Sequence, residues 1–129
     1  MPTVEAAARG LGVSEGEIIK SLLFQAKDGG LVLAIAAGMG RINTKRLEQL
    51  TGLKGLRLAK PEVVLEATGY PAGGTPPVGH KNHLRVVVDW RVLELPYVYG
   101  GGGDPKVMMR IKPTDIIRLN QAKVQDIVD

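Results

Sequence analysis

Ile18-Ile19-Lys20-Ser21-Leu22-Leu23-Phe24-Gln25-Ala26, the turn Lys27-Asp28-Gly29-Gly30, and Leu31-Val32-Leu33-Ala34-Ile35-Ala36-Ala37-Gly38 decide the fold of this chain. Two β-branched and apolar runs joined by a short Asp/Gly turn read as a hairpin. In a two-residue alternation Ile18, Lys20, Leu22 and Phe24 share one face, which sets a charge among core-type neighbours.

Outward from the hairpin the signals are local punctuation. Toward the N-terminus, Thr3 caps a short helix through Val4, Ala7, Ala8 and Leu11 that Gly12 ends. Ser14 followed by Glu17 has capping-box spacing for a second helical turn. Toward the C-terminus, Asn43 or Thr44 caps the helix TKRLEQLTG, stopped by Gly52; GLRLAK reads as a short strand, and Pro61 starts the helix PEVVLEATG. LRVVVDW, LPYVYG and KVMMRI are strand candidates, PTDIIRL a helix with Pro at its start, and KVQDIV a closing strand. Short strands without regular strand-helix alternation predict a mixed α/β fold. Its sheet is expected to be largely antiparallel or mixed, or a partly closed barrel, and not doubly wound.

The chain has 129 residues, 44% of them hydrophobic, and no linker, repeat or low-complexity block, so residues 1–129 are expected to form one domain. No apolar run reaches the roughly 20 residues of a membrane span, and MPTVEAAARG lacks the basic-then-apolar order of a secretory signal; a soluble, cytoplasmic protein is expected. With no cysteine, disulfide scaffolds, thiolate metal sites and cysteine nucleophiles are excluded. Seventeen Lys and Arg against 13 Asp and Glu give a net charge of +4, which favours an anionic partner without naming it. Only Lys45-Arg46 are adjacent, so any basic face is assembled by folding. Phe24, Trp90, Tyr70, Tyr97 and Tyr99 are the whole aromatic supply, too few for a broad single-strand platform.

Several motifs fail on inspection. Gly12-x-x-x-Gly16-x-x-x-Lys20-Ser21 has Ile19 where a phosphate loop needs glycine before the lysine. Gly38-Met39-Gly40 has Asn43 in place of the third glycine of a dinucleotide fingerprint. His80 and His83 have no carboxylate pattern to complete a metal site and read as members of a solvated loop. Ser14 and Ser21 lie outside any G-x-S-x-G, and Ser14 reads as a cap.

Gly69-Tyr70-Pro71-Ala72-Gly73-Gly74-Thr75-Pro76-Pro77-Val78-Gly79-His80 is unusual, with four glycines and three prolines in twelve residues. Two readings are open: a surface connection with turn chemistry, or a preorganised set of backbone N–H donors suited to an oxyanion. The cluster Gly100 to Gly103 before Asp104-Pro105 has the same two. Lys20 is either a strand-end lysine reaching to water or a cleft lysine that binds a phosphate or polar substrate.

Together these features resemble the YbaK-like aminoacyl-tRNA deacylase family, which also occurs as the editing insertion of bacterial prolyl-tRNA synthetases. The resemblance runs nearly end to end. It is carried by Ile19-Lys20-Ser21-Leu22, by Gly69-Tyr70-x-x-Gly73-Gly74-x-x-Pro77-x-Gly79, by Val86 to Trp90, and by Tyr97-Val98-Tyr99-Gly100-Gly101-Gly102. The chain departs from the family pattern in doubling the loop proline at Pro76 and in the unbroken run Gly100 to Gly103.

The resemblance implies hydrolysis, in trans, of the ester joining a wrong amino acid to a tRNA, typically one for proline. It implies Lys20 as the catalytic residue, with backbone groups of Gly73, Gly74 and Thr75 holding the aminoacyl end. Ser21, Pro77, Gly79, His80, Gly100, Gly101 and Gly102 complete the expected substrate-binding set. An activated ester asks for positioned water and oxyanion stabilisation, not a strong nucleophile. No metal or cofactor is called for. The implied partner is the 3′ acceptor end of an aminoacyl-tRNA, with a prolyl-tRNA synthetase as a further candidate; neither membrane nor DNA is expected. The competing reading is a non-catalytic adaptor of the same fold that binds tRNA ends or a synthetase.

Overall fold

A computed structural model describes residues 4–38, 40–104 and 106–129. Helix α1 (Val4–Leu11) is released by Gly12 in the left-handed region at φ 69°; the Thr3 cap lies outside the described residues. Ser14 is not the side-chain cap the spacing predicts. Only its carbonyl engages, accepting from the Glu17 N–H in a three-residue 3-10 turn, Glu15–Glu17, too short for the reciprocal box.

Strands β1 (Ile19–Gln25) and β2 (Leu31–Ala37) form the expected antiparallel hairpin, with Lys20 opposite Ala36 and Leu23 opposite Leu33. Its turn closes because the Asp28 carboxylate accepts from Gly30 N–H at 2.8 Å while Gly29 takes φ 91°. Helix α2 (Thr44–Thr51) is capped by the Asn43 side chain, which accepts from Arg46 N–H, and ends on left-handed Gly52. Strand β3 (Arg57–Leu58) precedes α3 (Pro61–Thr68), and β4 (Val86–Asp89) runs into a 3-10 turn over Trp90–Glu94. Strands β5 (Val98–Gly101) and β6 (Met108–Ile111) form a separate hairpin, followed by α4 (Pro113–Asn120) and β7 (Lys123–Gln125).

The main sheet is open and mixed, in the order β3-β1-β2-β4-β7: β1 is antiparallel to both neighbours, while β2–β4 and β4–β7 are parallel. Parallel strands need crossovers, and these carry helices to the faces of the sheet. All four residues of β4 are accordingly buried. Ile19, Leu23, Leu33, Ile35 and Val88 pack on one face with Val64 of α3, Val98 and Ile111 of the β5–β6 hairpin, and Ile116 of α4. Phe24, Val32, Ala34 and Val87 pack on the other with Leu47 of α2, Leu56 and Ile127. At about 1.5–3 kcal/mol per fully buried large aliphatic side chain, these clusters hold the sheet in place.

The outer edge of β1 is shared. Its first end bridges β5 through Ile18 and Tyr99, and its last end pairs with β3 through Phe24 and Leu58. Between them, among the described residues, no strand covers Lys20 to Leu22. The Asp89 carboxylate, 1% exposed, accepts from the N–H groups of Arg91 and Ile127 and pairs with the Arg91 guanidinium at 3.0 Å, anchoring the segment beyond β7 to the end of β4. No helix among the described residues is long and apolar enough to cross a membrane.

Candidate active site

The glycine-proline loop begins where α3 stops at Gly69, φ 83°. Buried Thr68 donates its hydroxyl proton to the Val64 carbonyl at 2.7 Å and accepts from Tyr70 N–H, fixing the exit direction. Pro71 to Gly74 then form a tight turn closed by Gly74 N–H to the Pro71 carbonyl at 3.0 Å, with Gly73 at φ 87°, the left-handed third position that a type II turn reserves for glycine. From this turn the chain dives: Gly74, Thr75, Pro76 and Pro77 are all buried.

Four of its carbonyls are held by bonds from elsewhere in the fold or along the loop. Asn120 Nδ2 donates to the Pro77 carbonyl at 2.7 Å, His80 Nε2 bonds the Pro76 carbonyl at 2.7 Å, and Gly103 N–H donates to the Gly74 carbonyl at 3.0 Å. The Tyr70 hydroxyl donates to the Gly79 carbonyl at 3.3 Å. The N–H groups of Gly73 and Thr75, in contrast, make no hydrogen bond among the described residues, although Thr75 is 7% exposed. Buried N–H groups are rarely left without a partner. Thr75 therefore keeps a buried donor in hand, while Gly73 lies exposed at the turn.

The β5–β6 hairpin is seated against this loop at glycines. A β-carbon on Gly101 would lie 2.7 Å from the Thr75 carbonyl oxygen and 3.1 Å from backbone atoms of Gly74, and one on Gly100 would meet Ile19 and Pro77. Gly101 is thus required for loop and strand to touch, and Gly100 keeps the contact with Ile19 and Pro77 close. Gly102 serves the hairpin itself, bonding and crowding Val107, and Gly79 is in open space with φ 78°.

Ile18 bridges Tyr99, and Ile19 packs against Gly100, so the start of β1 is in the same corner. Lys20, next along, lies on the opposite sheet face with Leu22 and Phe24, as the alternation predicts. It is half-buried, makes no ion pair or side-chain hydrogen bond among the described residues, and burial pushes its ammonium below the usual 10.5. No hydrogen bond or ion pair joins Lys20 to the loop. Ser21 shares the Ile19 face, on the uncovered edge of β1.

His80 is withdrawn from solvent although its neighbours Gly79, Lys81, Asn82 and His83 are exposed. It is half-buried and its Nε2 is spent on the Pro76 carbonyl, which can only accept; burial lowers its pKa below 6.5, and the Pro76 bond partly offsets that. His83 is exposed. Among the described residues no three histidine, aspartate or glutamate side chains converge on a metal position. Asn120 escaped the sequence reading, and Tyr70 and Gly103 were quoted in it without a site role. Asn120 bonds a residue 43 positions away, and no local pattern announces that. Tyr70 had a signal in its place inside the glycine-proline run.

Among known proteins, the chain is similar to an uncharacterised protein of Bacillus subtilis, YwhH, at 33% identity over 95% of this chain and 77% of that protein. It is 36% identical to a proline–tRNA ligase of Desulfitobacterium hafniense over 92% of this chain, but spans only 21% of that ligase. A solved structure described as a candidate trans-editing enzyme for prolyl tRNA synthetase superposes with a TM-score of 0.90 at 36% identity, covering 98% of this chain and 80% of that one. Residues 1–119 match the model of the aminoacyl-tRNA editing domain, and the chain belongs to that family.

Proposed function

We propose that the chain, acting as one unit, is a trans-acting deacylase that hydrolyses the ester of a misacylated tRNA, and that the tRNA is one for proline. Membership of the editing family and the likeness to a candidate trans-editing enzyme support this class of activity. The observation that carries the mechanism is the unspent N–H of buried Thr75, beside that of exposed Gly73, in a loop held through hydrogen bonds to its Gly74, Pro76, Pro77 and Gly79 carbonyls.

In this reading water attacks the ester carbonyl carbon, and the developing oxyanion takes hydrogen bonds from Gly73 and Thr75. The bond to the ribose oxygen then breaks, the proton given up by the water passes to that oxygen, and the amino acid and the 3′-terminal hydroxyl are released. One preorganised donor of this kind is worth about 3 kcal/mol of barrier, so two supply a substantial share of the acceleration an already activated ester needs. Lys20 holds a positive charge that burial destabilises and no carboxylate neutralises, and its role is to bind the anionic end of the substrate. Gly74, Pro77, Gly100 and Gly101 shape the site, and His80 braces it.

The test is deacylation of tRNA for proline charged with alanine, cysteine, serine or proline, with Lys20→Ala protein alongside. Selective, Lys20-dependent hydrolysis of one wrong ester is the expected result. The lack of any bond between Lys20 and the loop favours the adaptor reading as the second choice, and tRNA binding without turnover across the panel would select it.

A further inference from the structure

The outer face of the β5–β6 hairpin has no role in the chemistry above. Tyr99 lies opposite Arg110, and the Arg110 guanidinium stacks over the ring of Tyr97 at 4.5 Å, with the Lys112 ammonium 6.0 Å from the same ring. Val98 and Ile111, on the inner face, are buried, whereas Tyr97 is 37% exposed and Arg110 and Lys112 are exposed. Between Tyr97 and Lys112 the one carboxylate is Asp104, at the hairpin turn, and neither cation forms an ion pair among the described residues. Stacked aromatic and guanidinium planes beside uncompensated charge match what single-stranded RNA offers, flat bases on an anionic backbone. An acidic peptide would use the charge but not the rings.

The strip also leads somewhere. From Tyr97 it runs through Tyr99 to Gly101, five residues spanning about 14 Å of extended chain, and at Gly101 it meets Gly74 and Thr75 of the loop. That is room for a few stacked bases at about 3.4 Å each, not for a duplex. We infer that this face is a track for the unpaired 3′ end of an RNA, with a base stacked on the Arg110 guanidinium and the terminal nucleotide delivered to the loop. The inference rests on the deacylase reading for what happens at the loop, but the track itself is a matter of binding.

The experiment measures, by fluorescence anisotropy, binding of an uncharged RNA hairpin carrying a four-nucleotide single-stranded 3′ end, and of the same hairpin with a blunt end. Tyr97→Ala and Arg110→Ala should each weaken binding of the overhang hairpin about tenfold, the loss of one stacked base, while Tyr97→Phe binds like the parent. The blunt hairpin should bind weakly to all of them. Lys45→Ala, which removes an exposed charge on α2, controls for net charge and should change affinity less than about twofold. Equal affinity of the parent, Tyr97→Ala and Arg110→Ala proteins for the overhang hairpin would overturn the track, as would equal affinity of the parent for the two hairpins. Failure of the deacylase reading looks different: overhang-dependent, Tyr97-dependent binding with no turnover of any charged tRNA.

Discussion

Asn120 and Pro77 are joined by a 2.7 Å hydrogen bond between a buried side-chain amide and a buried carbonyl, so the last residue of α4 holds the inner bend of the glycine-proline loop. The same amide also donates to the Ile116 carbonyl, which leaves it no rotamer freedom. Asn120→Ala should cost about 1–3 kcal/mol, the penalty for an abandoned buried acceptor, and lower kcat more than it raises KM. Thermal unfolding beside deacylation kinetics checks both. An unaltered kcat would mean that the loop holds its shape without the clamp.

Gly101→Ala tests the contact between hairpin and loop directly. The new methyl would sit 2.7 Å from the Thr75 oxygen, and backbone on the other side cannot move as a side-chain tip can. Deacylation should fall at least about a hundredfold, the scale of one lost oxyanion donor, while the circular dichroism spectrum is retained. Gly10→Ala, with nothing within 4 Å, is the matched control and should be neutral or slightly stabilising.

Lys20 makes a pH prediction. Its folded pKa lies below 10.5, so between that value and 10.5 the unfolded chain binds more protons, and stability rises with pH across this window. Below it, the cost of the buried charge is fully present. Melting temperatures of the parent and of Lys20→Met, measured from neutral pH to 10.5, should show the rise in the parent alone, with the variant no less stable at neutral pH. Activity should move the other way, declining as the ammonium loses its proton. Parallel melting curves for the two proteins would argue that Lys20 is solvated.

His80 predicts the acid side. Its pKa is lowered from 6.5, so as pH falls through 6.5 toward the folded value the unfolded state takes up the proton first and stability declines. His80→Gln, whose side-chain amide can still donate to the Pro76 carbonyl, should lose that acid sensitivity and keep most activity. His80→Ala should lose both. Titration by NMR of the two histidine rings would locate the lowered pKa at His80 and not at exposed His83.

Much of the frame was legible because its signals are local. The Asp28-Gly29-Gly30 turn fixes the β1–β2 hairpin, and Pro61 and Pro113 start α3 and α4 where their missing N–H costs nothing. Lys20 was placed on the correct face by alternation alone. What the chain hides is long-range: β2 pairs with β4 across some fifty residues, and β4 pairs with β7 only after the second hairpin and α4 have intervened. Ser14 misled because a capping spacing needs a helix long enough to cap. In the site, the glycine-proline composition marked the loop, but which carbonyls would be consumed depended on Asn120, His80 and Gly103 arriving from elsewhere.

The uncovered stretch of β1 bears on self-association. An exposed strand edge is a template on which other copies can polymerise, yet here β3 and β5 stand at either end of the gap like bookends. Among the described residues only Lys20 to Leu22 of β1 are left open, too few for an incoming strand to gain a run of ladder bonds, and the lysine adds charge that repels a second copy. A slot of this length admits a small molecule and turns away a chain.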